Sequence, residues 1–423
     1  STWVNNINSD GTIQSLRRAS YKKWLTGNLI NQDRSIREKM ILFWTDHFGN
    51  EATDVGNGNW IYSQHQLIRQ HSLGNFKNLI RDITLDVAML RYLNGYLNNA
   101  TAPDENYARE LMELFTLGNG PDSRYTETDV KEAAKVLTGW TINGTTYQPV
   151  FTPTRHSSAN KTFSSFFNNT VITGRTGATA GMLELDDLHN MIFAQQEVAK
   201  FIARRVYRWF VYYQIDADAE RNVITPLADI FRRGGYEIKP MLSALLKSEH
   251  FYDNWNRACV IKDPVTHQAG FVRQFEMPFP ASTDYEANYQ VYALGSYYGQ
   301  ITQMNLGDPP SVAGWEAWYQ MPLYHKIWLN SDSLPKRNQF QDYLMMTGHK
   351  VKSFNFIVEP WKISNQFSNP KDADSFIQEA SDFLLALPLS SSQISNLKEI
   401  LLPGGIPDYN WSDEFRAALD SGD

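Results

Sequence analysis

A single cysteine, Cys259, stands in the whole chain. Its solitude excludes an intramolecular disulfide and any zinc site built on cysteines. Within Arg257-Ala258-Cys259-Val260-Ile261 it reads as a small buried hydrophobe, because only Arg257 offers a basic neighbour to favour a thiolate. An excess of positive charge is also missing: 39 Lys plus Arg face 46 Asp plus Glu, for a formal net charge of −7. That balance argues against nucleic acid as a partner, since phosphate-neutralising surfaces are basic. No run reaches the roughly 18 apolar residues of a membrane-crossing helix, so no transmembrane segment is expected. Phosphate-binding and nucleophile signatures are absent: there is no G-x-x-x-x-G-K, G-x-G-x-x-G, G-x-S-x-G or H-E-x-x-H. Ser-x-x-Lys begins at Ser20 and at Ser158, but no Lys-Thr-Gly follows either. The simplest enzyme assignments are thereby removed.

What is plentiful is apolar and aromatic surface. Hydrophobic residues make up 42% of 423 residues and aromatics 13%, with 23 Phe, 21 Tyr and 12 Trp. This composition specifies a folded chain with a sizeable core. Helical spacing dominates residues 1–140, with one stripe through Ile36, Met40, Phe43, Trp44, His47 and Phe48 and another through Leu79, Ile83, Val87, Leu90 and Leu93. A start signal at Thr101 to Asp104 and a stop at Gly118 bracket a third helix. Thr126-x-x-Asp129 is a capping-box pattern opening a fourth. Residues 141–183 change period and are expected to hold a small β-hairpin excursion. Helices are expected to resume at 198–212, 223–231 and 240–246, and the Pro- and aromatic-rich residues 278–328 to be irregular. Further helices are expected at 332–346, 372–387 and 393–401. The expected fold is mainly α: one large helical domain over 1–423 with the hairpin excursion around 141–183.

Polar chemistry concentrates in the third helix. At 100° per residue Glu105, Asn106, Arg109, Glu110 and Glu113 fill one sector, opposite Tyr107, Leu111, Leu114 and Phe115. The face reads as a solvated surface with an Arg109–Glu113 pair, or as carboxylates able to bind a divalent cation or to carry acid/base work with Arg109 as stabiliser. Nine histidines are scattered without metal-ligand spacing. His47, flanked by aromatics, reads as a core histidine, whereas His156 lies in the polar segment His156-Ser157-Ser158-Ala159-Asn160-Lys161. Asp216, Asp218 and Glu220 alternate like a calcium loop but lack its turn glycine and read as a solvated helix start. The aromatic segment around Trp315 reads as packed core or as a ligand platform.

Several strings together resemble the large bacterial family called domain of unknown function 1800. They are Phe43-Trp44-x-x-His47-Phe48, the run from Glu105 to Gly118, Tyr125-Thr126-x-x-Asp129, Leu137-Thr138-Gly139-Trp140, Phe201-Ile202-Ala203-Arg204-Arg205 and Pro309-Pro310-Ser311-Val312-Ala313-Gly314-Trp315. The resemblance spans about residues 36–337, with 338–423 expected as a C-terminal helical extension. It implies a largely helical fold whose motifs meet from distant segments. It also implies export, to the periplasm, the outer membrane or the exterior, often beside a secreted phosphatase- or sulfatase-like partner. The family's loop commonly reads His-Asp-x-Gly-x-Lys; here Ser157 replaces the acid, so a His-Asp pairing at His156 is lost. Two functional expectations follow. One is an exported binding or scaffold component of an envelope or extracellular complex, contacting a protein partner or a glycan through Glu105, Asn106, His47, His156, Lys161 and Trp315. The other is a hydrolase of an extracellular polymer or ester, with Glu110, Glu113 and Arg109 catalytic.

Overall fold

Capping chemistry sets the landmarks of the structure, a computed structural model that describes residues 3–421. At the helix Glu127–Val136 the Thr126 side chain accepts from Asp129 N at 3.3 Å, while Asp129 Oδ2 accepts from Thr126 N at 2.7 Å. This is the capping box that the sequence pattern announces. Asp129 is fully buried, and its Oδ1 also accepts from Ser164 N at 2.7 Å, so one carboxylate starts a helix and pins the loop behind it.

The described chain is mainly α-helical, with strands only in small antiparallel pairs. The excursion holds two hairpins rather than one: Trp140–Asn143 pairs with Gln148–Phe151, and Lys161–Thr162 with Val171–Ile172. A third, His349–Val351 with Phe354–Phe356, follows the helix Ser333–Met346 inside the C-terminal part.

Elsewhere the periodic stripes locate helices but not always their breaks. The stripe from Leu79 to Leu93 is two helices, Phe76–Thr84 and Val87–Tyr92, because Asp86 caps a new start by accepting from Met89 N at 2.9 Å. The largest departure is the helix Tyr285–Ile301, in a stretch expected to be irregular. Its buried residues are Ala287, Asn288, Val291, Gly295, Tyr298 and Gly299, and so small and mixed a face carries little hydrophobic contrast. Its start was nonetheless written in the sequence, since Asp284 caps it from Ala287 N at 3.1 Å.

One hydrophobic cluster runs from Tyr21 through to Ile363. The C-terminal helices sit at its margin: Ser391–Leu401 buries no residue and Asp408–Ser421 buries only Phe415. Among the described residues no helix is long and apolar enough to cross a membrane.

Candidate functional site

The carboxylate-bearing helix begins at Asn106, whose N–H donates to Asp104 Oδ1 at 2.9 Å, not at Thr101. After the α-helix Asn106–Glu110 it widens into a π-helical turn, Leu111–Thr116. A wider turn rotates Glu113 away from the position that 100° spacing assigns it. Tyr107, Ala108, Leu111, Met112 and Phe115 are buried, and the polar sector is partly open.

Arg109 does not pair with Glu113. Its guanidinium forks onto Glu127 at 2.8 and 2.6 Å and reaches Glu105 Oε2 at 3.3 Å, while Glu113 Oε1 accepts from Asn119 Nδ2 at 3.2 Å. These contacts are on the surface, where solvent screening leaves them little weight in stability. Asn106 Nδ2 donates to Leu93 O at 3.4 Å. Glu110 is the unusual member: burial and the neighbouring Glu113 charge push its carboxyl up to about 7 against the opposing pull of Arg109. A carboxyl that titrates near neutrality is suited to proton transfer. It also makes stability depend on pH. Between the ordinary value of 4.5 and about 7 the folded chain holds a proton that the unfolded chain releases, so stability falls as pH rises through that window. Glu110→Gln is therefore expected to flatten the melting temperature between pH 5 and 7.5 and to stabilise the protein at pH 8, read by thermal melts across that range.

A second polar cluster joins three of the sequence strings in the interior. Asp46 Oδ1 accepts from Trp315 N at 2.7 Å, and its Oδ2 lies 3.2 Å from Arg205 Nη2. Burial pushes the Asp46 carboxyl up to about 7, although Arg205 and the Trp315 N–H both pull it down. Next to it His47 lies against Phe43, Trp44, Phe48 and Phe115, and its Nε2 donates to Phe115 O at 3.0 Å. That carbonyl belongs to the last turn of the carboxylate helix, where intrahelical partners run out. Burial, reinforced by the Arg205 charge, drives the His47 imidazole well below its ordinary value and keeps it neutral. Its Nδ1 has no hydrogen-bond partner. Trp315 is 3% exposed and packs edge-on against Trp318, which contacts Trp209 and Trp328, so Trp315 and Trp328 belong to the core while Met321 and Leu323 between them are exposed.

The third cluster restores what the loop sequence lacks. His156 Nε2 lies 3.1 Å from Glu184 Oε1, close in distance though off the line of a hydrogen bond, and its Nδ1 is 2.8 Å from Thr138 O. Lys161, fully buried, pairs with Glu184 Oε2 and donates to Ser157 O at 2.6 Å. Arg175 N donates to Glu184 Oε1 at 2.7 Å. Burial works to raise the Glu184 carboxyl, but His156, Lys161 and the Arg175 N–H together hold it below its ordinary value. The loop itself supplies no acid, and the carboxylate beside His156 comes from another element: Glu184, on the helix Ala180–Phe193. Sequence inspection passed over it, although a lone carboxylate inside Met182-Leu183-Glu184-Leu185 was a signal.

The three clusters are connected but distinct. His47 touches the carboxylate helix through Phe115 O, and Arg109 ties that helix to Glu127 at the start of the capped helix. Thr138, just past the end of the capped helix, holds His156. No hydrogen bond joins Glu105, Glu110 or Glu113 to His156, Lys161 or Glu184 among the described residues. Nor do those residues place any three His, Cys, Asp or Glu side chains to hold a metal ion.

A mainly helical protein with small hairpins, whose scattered motifs close on buried ion pairs, is the class that fold and clusters define. The family model described as "Protein of unknown function (DUF1800)" matches residues 9–418, and the chain belongs to that family. The match extends on both sides of the stretch that the motif resemblance spans. No curated protein and no solved structure matches the chain.

Proposed function

We propose that the protein is a binding or scaffold component of an exported complex in the cell envelope or outside the cell, not a catalyst. The observation that carries this reading is the state of the motif side chains. His47, Asp46, Trp315, His156, Lys161 and Glu184 are all buried, with Asp46 held by Trp315 N and Arg205, His47 by Phe115 O, and His156 and Lys161 by Glu184, so they serve the fold and not an incoming substrate. Large aromatics remain on the surface instead, among them Tyr252, Trp255, Tyr285 and Tyr297. Exposed aromatic side chains are favoured at recognition surfaces because they offer contact area with little entropy to lose. The lone cysteine is compatible with an oxidising compartment.

Native mass spectrometry of the protein isolated from its source, without chelators, tests the reading. The expected result is an assembly heavier than 48.6 kDa that contains a second kind of chain. A lone chain carrying a stoichiometric divalent ion overturns it.

A hydrolase reading retains one specific support, the Glu110 carboxyl raised to about 7 beside Glu113 and Arg109. On that reading Glu110→Gln and Glu113→Gln abolish a demonstrated activity. Stability changes without loss of activity refute it.

A further inference from the structure

The N-terminal helix Gly11–Asn31 packs beside the helix Tyr285–Ile301, and a cleft of about 1110 Å3 opens along their junction. Its walls include the aromatic residues Trp24, Phe279, Tyr285, Tyr289 and Tyr292. Between these rings stand the amides of Asn28, Asn31 and Asn288 and the hydroxyls of Ser20 and Ser282. No charged side chain lines it. We propose that this cleft binds a neutral oligosaccharide, with tyrosine and tryptophan rings stacking on sugar faces and the asparagine amides reading hydroxyl groups.

The chemistry argues for sugar from both sides. A pyranose ring presents an apolar face of C–H groups edged by hydroxyls, and it pairs with an aromatic face beside groups that both donate and accept. Asn31 and Asn288 already donate through their Nδ2 groups, the first to Gly27 O and the Tyr292 hydroxyl and the second to Ala281 O and Asp284 O. Their oxygens are the acceptors they offer, while hydroxyls such as those of Ser20 and Ser282 can do both. Asn28 lines the cleft, and its Nδ2 is buried without a hydrogen-bond partner in the protein. A buried donor without an acceptor is unfavourable, and Asn28 is a wall residue that has one.

Part of the wall is set before any ligand arrives. Asn31 Nδ2 donates to the Tyr292 hydroxyl at 2.9 Å and to Gly27 O at 3.0 Å, which fixes the tyrosine against the first helix. Gly27 allows that approach, since a Cβ there would lie 2.7 Å from Tyr292 Cε2. Tyr292 meets Tyr289 at 5.7 Å and Phe279 at 6.3 Å between ring centroids, and Tyr285 is 74% exposed. The volume lies at the upper end of pockets that hold drug-sized ligands, about 300–1,000 Å3, and so admits a ligand of several rings. At Asn28 and Asn31 the cleft adjoins a second cavity of about 310 Å3, where Arg37, Glu38 and Arg69 bring the first charges. A proline-rich peptide is the other ligand that aromatic grooves take. It is disfavoured here because its carbonyls need donors alone, whereas three amides supply acceptors as well.

The site shares no residue with the buried motif clusters, and the inference does not rest on the partner-chain reading. Calorimetric titration of the full chain with cellohexaose, maltohexaose, laminarihexaose and chitohexaose, and separately with a polyproline peptide, tests it. At least one hexasaccharide is expected to bind. Tyr285→Ala and Tyr289→Ala are each expected to weaken that binding about fivefold to tenfold, the range of one aromatic contact. Tyr409→Ala, at an exposed ring outside the cleft, should leave it unchanged. Four silent hexasaccharides, binding indifferent to both tyrosines, equal sensitivity to Tyr409→Ala, or binding of the peptide alone would each overturn the assignment. A silent titration leaves the mass-spectrometric test of the assembly untouched, so the two ideas fail separately.

Discussion

Glu184→Ala is expected to destabilise the protein by about 3–5 kcal/mol, the usual cost of leaving a buried charge without its partner. The substitution strands Lys161, which has no exposed surface and would keep only Ser157 O as an acceptor. It also removes the acceptor of the Arg175 N–H and the carboxylate beside His156. Urea melts of wild type and variant measure the effect as a shift in midpoint at constant slope. A second variant separates charge from packing. In Lys161→Met with Glu184→Gln, the charge is gone while the glutamine oxygen can still accept from Arg175 N. More than half of the lost stability is expected to return, because exchanging a buried ion pair for uncharged groups of similar size is often close to neutral. Acid provides an independent check. The folded Glu184 carboxyl titrates below its ordinary 4.5, so its contribution is complete above that value and is lost as pH falls through the lower one. The wild type should therefore lose its advantage over Glu184→Gln only in acid. An unchanged midpoint in Glu184→Ala would mean that the three side chains do not form this cluster.

Gly314→Ala is expected to be equally severe, costing about 4 kcal/mol or more, a size that single substitutions reach only through a specific structural fault. Two faults coincide at this glycine. Its φ is +84°, a region that costs a residue with a Cβ of order 1–3 kcal/mol. A Cβ would also overlap Asp46 Oδ1 and stand 2.6 Å from Asp46 O, where backbone cannot move aside cheaply. The displaced chain carries the Trp315 N–H, so the hydrogen bond that helps hold the Asp46 carboxylate goes with it. Ala313→Gly, one residue earlier, tests whether the effect is local flexibility alone. It should cost no more than about 1 kcal/mol. A folded Gly314→Ala protein with wild-type stability would refute the close approach at Asp46.

These two sites differ in how much of them the sequence discloses. Gly314 belongs to a string that marks the family, and a glycine between alanine and tryptophan in an irregular stretch already suggests a special backbone need. What lies against it, Asp46 from 268 positions earlier, is invisible to any local pattern. Glu184 is in the reverse position. Its apolar neighbours imply burial, but the buried partners Lys161 and His156 enter from a loop whose own acid has been replaced. The carboxylate helix shows a third case: its polar and buried sectors are legible at 100° per residue, while the π-helical turn at Leu111–Thr116 is not, because propensity hardly distinguishes one extra residue in a turn.

Local chemistry determined much of this protein from the sequence alone. The helical class, the Thr126–Asp129 capping box and the family all follow from patterns a few residues long. Such patterns report the nearest turns of the chain, where a cap or an apolar stripe acts within about one helical turn. Only the tertiary structure decided which charges meet. Arg109 turns to Glu127 instead of Glu113, Asp46 joins Arg205 and Trp315, and the helix Tyr285–Ile301 closes an aromatic cleft against the N-terminal helix. Coulomb and hydrogen-bond energies depend on distance in space and on burial, and neither is set by separation along the chain.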